Sequence, residues 1–137
     1  MDEVFAYGHQ GLGDDIADFE DSTVANLKSK SGACGNVHST CCASVPEGYA
    51  TELSGRDFYL KMNHDLSLSG RNGKEPIEFK GEEAGYFRQV EHFLKAVEAN
   101  DQSLIRSDYA DAARTLAVTL AANASLKSGR PEKVRAD

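Results

Sequence analysis

The chain has no tryptophan, only three prolines, and only three cysteines among 137 residues. Cys34, Cys41 and Cys42 are an odd number with two adjacent members, a poor basis for a disulfide framework, so free thiols in a reducing compartment, the cytoplasm, are expected. Basic residues are also short: 15 Lys and Arg against 22 Asp and Glu leave a net charge of −7 with no basic cluster. That balance excludes nucleic acid and anionic membrane as main partners, because binding phosphates requires a positive surface. No apolar run approaches the roughly 20 residues of a membrane span, and the first ten residues lack the basic start and apolar block of a secretion signal. One domain, residues 1–137, long enough to bury a core without staples, is the expectation.

Catalytic signatures are missing too. Gly8, Gly11 and Gly13 precede a polar acidic stretch rather than joining a strand to an apolar helix, so they read as a mobile loop and not a nucleotide fingerprint. The acidic residues Asp14, Asp15, Asp18, Glu20 and Asp21 do not meet calcium-loop spacing and read as a solvated loop. Cys34, His38, Cys41 and Cys42 are soft ligands. Along one strand, however, four-residue steps separate Cys34, His38 and Cys42 by about 13 Å each, too far to share an ion, and Cys41 faces the other way. No serine or cysteine has a nucleophile elbow, and His9, His38, His64 and His92 are scattered.

What is present is a succession of strands followed by two helices. Val4–Gly8, Asp21–Ser29 and Cys34–Ser44 are β-rich, the last two flanking a Ser31-Gly32-Ala33 turn. A Pro46-Glu47-Gly48 turn, then Ser54-Gly55-Arg56 and Gly70-Arg71-Asn72-Gly73, punctuate the strands from Tyr49 to Lys80. Alternation puts Phe58, Leu60 and Met62 on one face, with Tyr59 and Lys61 on the other. Over 82–99, Phe87, Val90, Phe93, Leu94 and Val97 recur at helical spacing, the pattern of a core-facing helix. A second helix is predicted over 107–128, capped by Ser107 or Asp108 and stopped by Gly129 and Pro131; the short linker makes the two helices a hairpin. The class is α+β: a mainly antiparallel open sheet of about six or seven strands over residues 2–80, with two C-terminal helices packed on one face. Glu132–Val134 is a possible added edge strand.

Three segments carry a resemblance: 83–97, Glu-Ala-Gly-Tyr-Phe-Arg-Gln-Val-Glu-His-Phe-Leu-Lys-Ala-Val; 108–116, Asp-Tyr-Ala-Asp-Ala-Ala-Arg-Thr-Leu; and 121–131, closing on Ala121-x3-Ser125-x3-Gly129-Arg130. In that order and spacing they resemble the end of the Gfo/Idh/MocA oxidoreductases, the family of glucose–fructose oxidoreductase and inositol dehydrogenase. Val4-Phe5-Ala6, Asp18–Asp21 and Lys30–Ala33 resemble the start of that family's second domain. The resemblance implies a parent enzyme using NAD or NADP on an N-terminal Rossmann domain, with a Glu-Lys-Pro lysine and an Asp/His pair handling protons. None of these parts lies in this sequence, so no catalytic, cofactor or metal residue is assigned to it. It further implies that the sheet forms one wall of a sugar or polyol pocket and that another face meets a second subunit in a homo-oligomer. Asn36, His38 and Tyr86 are the candidate substrate-binding residues. Two readings follow: the substrate-binding and dimerisation domain of an NAD(P)-dependent sugar oxidoreductase, inactive alone, or a stand-alone non-catalytic α+β module that dimerises or binds a small ligand.

Overall fold

The computed structural model of the chain describes residues 1–13, 15–16, 18–44, 48–82 and 85–135. The expected turn at Pro46-Glu47 and the expected helix residues Glu83 and Ala84 lie outside them. The fold is α+β: β1 (Glu3–His9), β2 (Ser22–Lys28), β3 (Cys34–Thr40), β4 (Ala50–Ser54), β5 (Phe58–Asn63), β6 (Ser67–Asn72), β7 (Glu75–Lys80), α1 (Gly85–Ala99), α2 (Tyr109–Ser128) and β8 (Glu132–Lys133). All strand pairings are antiparallel, and they form two four-stranded sheets. The chain divides into two compact units, Met1–Ser44 with Ser107–Asp137, and Val45–Arg106. The two helices fall in different units, and the eighth strand is the short C-terminal edge. Among the described residues no helix is long and apolar enough to cross a membrane.

In the first unit the strand order is β3-β2-β1-β8. The β2–β3 hairpin closes where Ser29 N–H donates to the Ala33 carbonyl at 2.7 Å, with Gly32 at φ 89°, a left-handed conformation that costs glycine little. Val4 and Ala6, on one face of β1, are buried under Ala117, Ala121 and Ser125 of α2. Those helix residues recur every four positions, so they form one row, and their small size lets the helix approach the sheet closely. Asp108 caps α2 by accepting from Asp111 N–H at 2.7 Å, and left-handed Gly129 ends it by donating to the Ser125 carbonyl at 2.9 Å.

Ser125 explains why the closing motif has that spacing. Its side chain is fully buried; Oγ accepts from Ala6 N–H at 3.0 Å and donates to the Arg130 carbonyl at 2.6 Å. Strand β8 pairs with Glu3 and Val4 only, so the serine takes over where the edge strand stops.

In the second unit the order is β4-β5-β6-β7. Gly55 N–H donates to Phe58 C=O at 2.9 Å in the β4–β5 turn, and Gly73 at φ 59° turns β6 into β7. Gly70 is required by contact: a Cβ there would lie 2.0 Å from the carbonyl oxygen of Tyr59 on β5. Helix α1 ends on left-handed Asn100, with Asn100 N–H to Val97 C=O at 3.1 Å and Asp101 N–H to Ala96 C=O at 3.0 Å. Ala96, the buried residue of this helix, packs toward the 3-10 turn Gln102–Leu104.

Candidate functional site: the uncovered face of the β1–β2–β3 sheet

Strand alternation gives the first sheet two different surfaces. Val4 and Ala6 face α2. The opposite face carries four cross-strand rows set by the pairing register: Glu3–Lys28–Cys34 at one end, then Phe5–Asn26–Asn36, Tyr7–Val24–His38 and His9–Ser22–Thr40. The rings of Phe5 and Tyr7 meet edge to face, centroids 4.7 Å apart. Asn36 Nδ2 donates to Asn26 Oδ1 at 2.9 Å, which fixes both amides while leaving each with further capacity. Ser22 and Thr40 hydroxyls pair at 2.8 Å. His38 and Tyr7 are exposed on the middle row.

Away from the Glu3–Lys28 end, the chemistry available on this face is aromatic area beside amide, hydroxyl and imidazole donors and acceptors, which suits a polar, hydroxyl-bearing molecule. Asn36 and His38 stand on it together. Tyr86 belongs to the other unit, where it is 90% exposed on the first turn of α1. Tyr7 and Asn26 were not singled out by the sequence. The signal for Asn26 was available, because a hairpin turning about Ser31 places residue 26 opposite residue 36.

One end of the face is held by Asp21, which corrects the reading of a solvated acidic run: Asp21 is buried, 3% exposed. Its carboxylate accepts from Gly11 N–H at 2.7 Å, Leu12 N–H at 2.8 Å and the Cys42 thiol at 2.7 Å, while its backbone carbonyl accepts from Cys41 N–H at 2.7 Å. The thiol donor first, then the Leu12 amide, outweigh burial and hold the carboxyl down at about 2. The glycine loop expected to be mobile is therefore tied at two amides. Cys42 lies past the end of β3 at Thr40, its amide donating to the Thr40 hydroxyl at 3.1 Å and its sulfur 3.5 Å from the Ser22 hydroxyl. Among the described residues no group of three or more His, Cys, Asp or Glu side chains is placed to hold a metal ion.

The other ionic cluster, in the second unit, is Asp65 with Lys80 at 2.6 Å and Ser67 N–H at 3.0 Å; the lysine and then the serine hydroxyl pull its carboxyl well below the usual range. Both partners of that ion pair are exposed, so it is a turn-stabilising pair rather than a site.

No protein-family model matches the chain, and no curated protein matches it by sequence. Solved structures do match in shape. Levoglucosan dehydrogenase in complex with NADH and L-sorbose superposes with a TM-score of 0.81 at 16% identity over 98% of this chain and 44% of that one. An oxidoreductase from Agrobacterium radiobacter in complex with NAD+, L-tartaric acid and magnesium gives 0.79 at 13% identity, over 97% and 43%. UDP-N-acetylglucosamine 3-dehydrogenase from Acidithiobacillus ferrooxidans gives 0.76 at 17%, over 91% and 40%.

The chain has the fold of a domain of Gfo/Idh/MocA-type oxidoreductases. It spans about two fifths of the length of these dehydrogenases.

Gfo/Idh/MocA-type enzymes imply a nicotinamide dinucleotide, and the chain's glycine loop tests whether its residues fit one. A dinucleotide's phosphates need backbone amides at a glycine turn free to donate. Here the amides of Gly11 and Leu12 already donate to an internal carboxylate, which occupies the position an anion would take and would repel one. The loop does not fit a phosphate.

Proposed function

We propose that this chain is the substrate-binding and oligomerisation domain of an NAD(P)-dependent sugar or polyol oxidoreductase of the Gfo/Idh/MocA type, working in the cytoplasm beside a separate dinucleotide-binding domain. The observation that carries the reading is the fit of nearly the whole chain onto two fifths of several NAD-linked dehydrogenases, one holding a sugar and another named for a nucleotide sugar. The uncovered face supports it. Tyr7 offers an apolar platform for the C–H side of a pyranose or polyol, while His38 and the Asn26–Asn36 pair offer donors and acceptors for its hydroxyls. Asn36 and His38 are the proposed substrate contacts of this face; Tyr86 is proposed separately, as a substrate contact of the second unit.

Hydride transfer requires a nicotinamide held about 3–3.5 Å from the reacting carbon. The residues of this chain supply binding surface, so the domain by itself is a wall and not a catalyst. A homo-oligomer formed through an open sheet face completes the proposal. The test is a pair of titrations on the full chain. NADH is expected to show no saturable tight binding, and a panel of sugars and polyols is expected to shift the amide resonances of Asn26, Asn36 and His38. Tight NADH binding, or a panel that leaves the face untouched, would overturn the proposal. Sugar-dependent shifts lost in His38→Ala but not in Lys61→Ala would support it against the stand-alone dimerisation module.

A further inference from the structure

The charge on the uncovered face of the first sheet sits in its end row, Glu3–Lys28–Cys34. The register sets Glu3 directly across from Lys28, an opposite-charge pair that neighbouring strands commonly close. Here it stays open. Glu3 is taken by the edge strand instead: its Oε2 lies 3.4 Å from Lys133 Nζ, and the same lysine bonds Asp2 at 3.0 Å. Among the described residues the Lys28 ammonium makes no hydrogen bond and no ion pair, and its side chain is exposed. Asp2 feels it only at a distance, since that carboxyl is held low first by its hydrogen bond to Lys133 and last by Lys28. The backbone beneath the lysine is fixed. Its carbonyl accepts from Asp2 N–H at 2.8 Å, and one residue on, Ser29 N–H closes the hairpin on the Ala33 carbonyl at 2.7 Å.

We infer that Lys28 is an anion subsite at the end of this face, and that the molecule the face takes is a sugar acid, a pyranose or polyol bearing one carboxylate. The inference rests on the reading of the face as a sugar wall and names the class of sugar. Lys28 and Asn26 point to the same side of β2, one step of about 7 Å apart, and the next such step reaches Val24, between Tyr7 and His38. A pyranose stacked on Tyr7, with hydroxyls on the Asn26–Asn36 amides, thus extends an exocyclic carboxylate toward the ammonium. The row at the opposite end offers no such cation, because Ser22 and Thr40 are paired with each other at 2.8 Å beside His9. The face therefore reads its ligand in one orientation, charge at the Lys28 end. Charge also selects carboxylate over phosphate. One free ammonium balances one negative charge, whereas a phosphate ester carries about −1.5 to −2 and would leave the excess facing Glu3 and Asp2. A lysine meets a carboxylate as a point charge on a flexible stem, so the subsite tolerates small differences in how the ring is seated.

The test compares matched pairs on the full chain at low salt, D-glucose against D-glucuronate and D-galactose against D-galacturonate, followed by the amide resonances of Asn26, Asn36 and His38. Each uronate is expected to bind about two- to fivefold more tightly than its parent sugar, the range of an exposed ion pair. That advantage should vanish in Lys28→Met and in about 1 M salt, where the screening length falls to about 3 Å. It should survive in Lys28→Arg, and in Lys74→Met, which removes the same charge from the other unit. Unchanged affinity of Lys28→Met for glucose shows that the face itself is intact. Neutral sugars that bind while uronates gain nothing, or a gain that persists in Lys28→Met, would overturn the subsite and leave the sugar wall standing. If neither member of either pair moves these resonances, the wall falls and the subsite with it. A Lys28-dependent preference for glucose 6-phosphate over glucuronate would overturn the assignment to a carboxylate.

Discussion

Replacing Ser125 with alanine removes one oxygen, leaves volume nearly unchanged and gains at most about 0.5 kcal/mol of helix propensity, so a net loss reports its two hydrogen bonds. The hydroxyl is fully buried between α2 and the edge of β1, accepting from Ala6 N–H at 3.0 Å and donating to Arg130 C=O at 2.6 Å. In the alanine variant the Ala6 amide has no strand to donate to on its outer edge, because β8 reaches only Glu3 and Val4. A buried donor left unpaired costs about 1–3 kcal/mol, and the second bond contributes about 1 kcal/mol. The Ser128 hydroxyl, 3.5 Å from the Arg130 carbonyl, is too distant to replace it. The expected loss is therefore about 2–4 kcal/mol, a large share of the roughly 5–15 kcal/mol that holds a domain folded.

Because the chain folds as two units, the loss is best read locally. Native-state hydrogen exchange should show the opening free energy of the Ala6 amide, and of its neighbours in β1, falling by that amount, while amides in β5 and β6 are unchanged. Ser125→Cys, which keeps a weak donor, should fall in between. If Ser125→Ala leaves Ala6 protected to within about 0.5 kcal/mol, the range of an ordinary surface change, the hydroxyl is not the tie between helix and edge strand, and the account of the Ala-x3-Ser-x3-Gly-Arg spacing fails.

Gly70→Ala should be worse than the usual overpacking cost of about 1–3 kcal/mol, since the added Cβ meets backbone rather than a movable side chain, and urea unfolding of the second unit should report it. Asp21 gives a pH signature. Its carboxyl is depressed in the fold, so its contribution is complete above the ordinary value near 4 and is lost as pH falls toward about 2; exchange at Gly11 and Leu12 should accelerate across that interval and not between pH 5 and 8. Asp21→Asn keeps one oxygen where both amides converge and puts its NH2 against the Cys42 sulfur, so it should retain protection at Gly11 and Leu12 at neutral pH, lose the thiol's bond and abolish the acid transition. Gly129→Ala should shorten α2 at its end at a cost of roughly 1 kcal/mol, because its φ of 65° strains a side chain.

Local chemistry made most of the secondary structure readable. Turns at Gly32 and Gly73 carry their own conformational demand, the Gly55 turn is closed by its amide on the Phe58 carbonyl, and from them the hairpin registers follow; Asp108 and Gly129 bound α2 by the same logic. The division of the strands into two sheets was not readable, because alternation says which residues share a face and nothing about which strand lies beyond the next long connection. Burial of Asp21 escaped for a related reason: an acidic residue among four others reads as solvated unless one knows that two amides and a thiol converge on it, and those come from a loop ten residues upstream and a strand end twenty-one residues downstream. The same limit applies to the site. Asn36 and His38 could be chosen for their types and their strand, and the pairing added Tyr7 and Asn26, but Tyr86 was chosen on proximity along a resemblance and sits in the other unit. The stripe on α1 is the reverse case. Its spacing of Phe87, Val90, Phe93, Leu94 and Val97 reads as a core-facing helix, yet each of the five is more than half exposed, because a period fixes which residues share a face and not what lies against it.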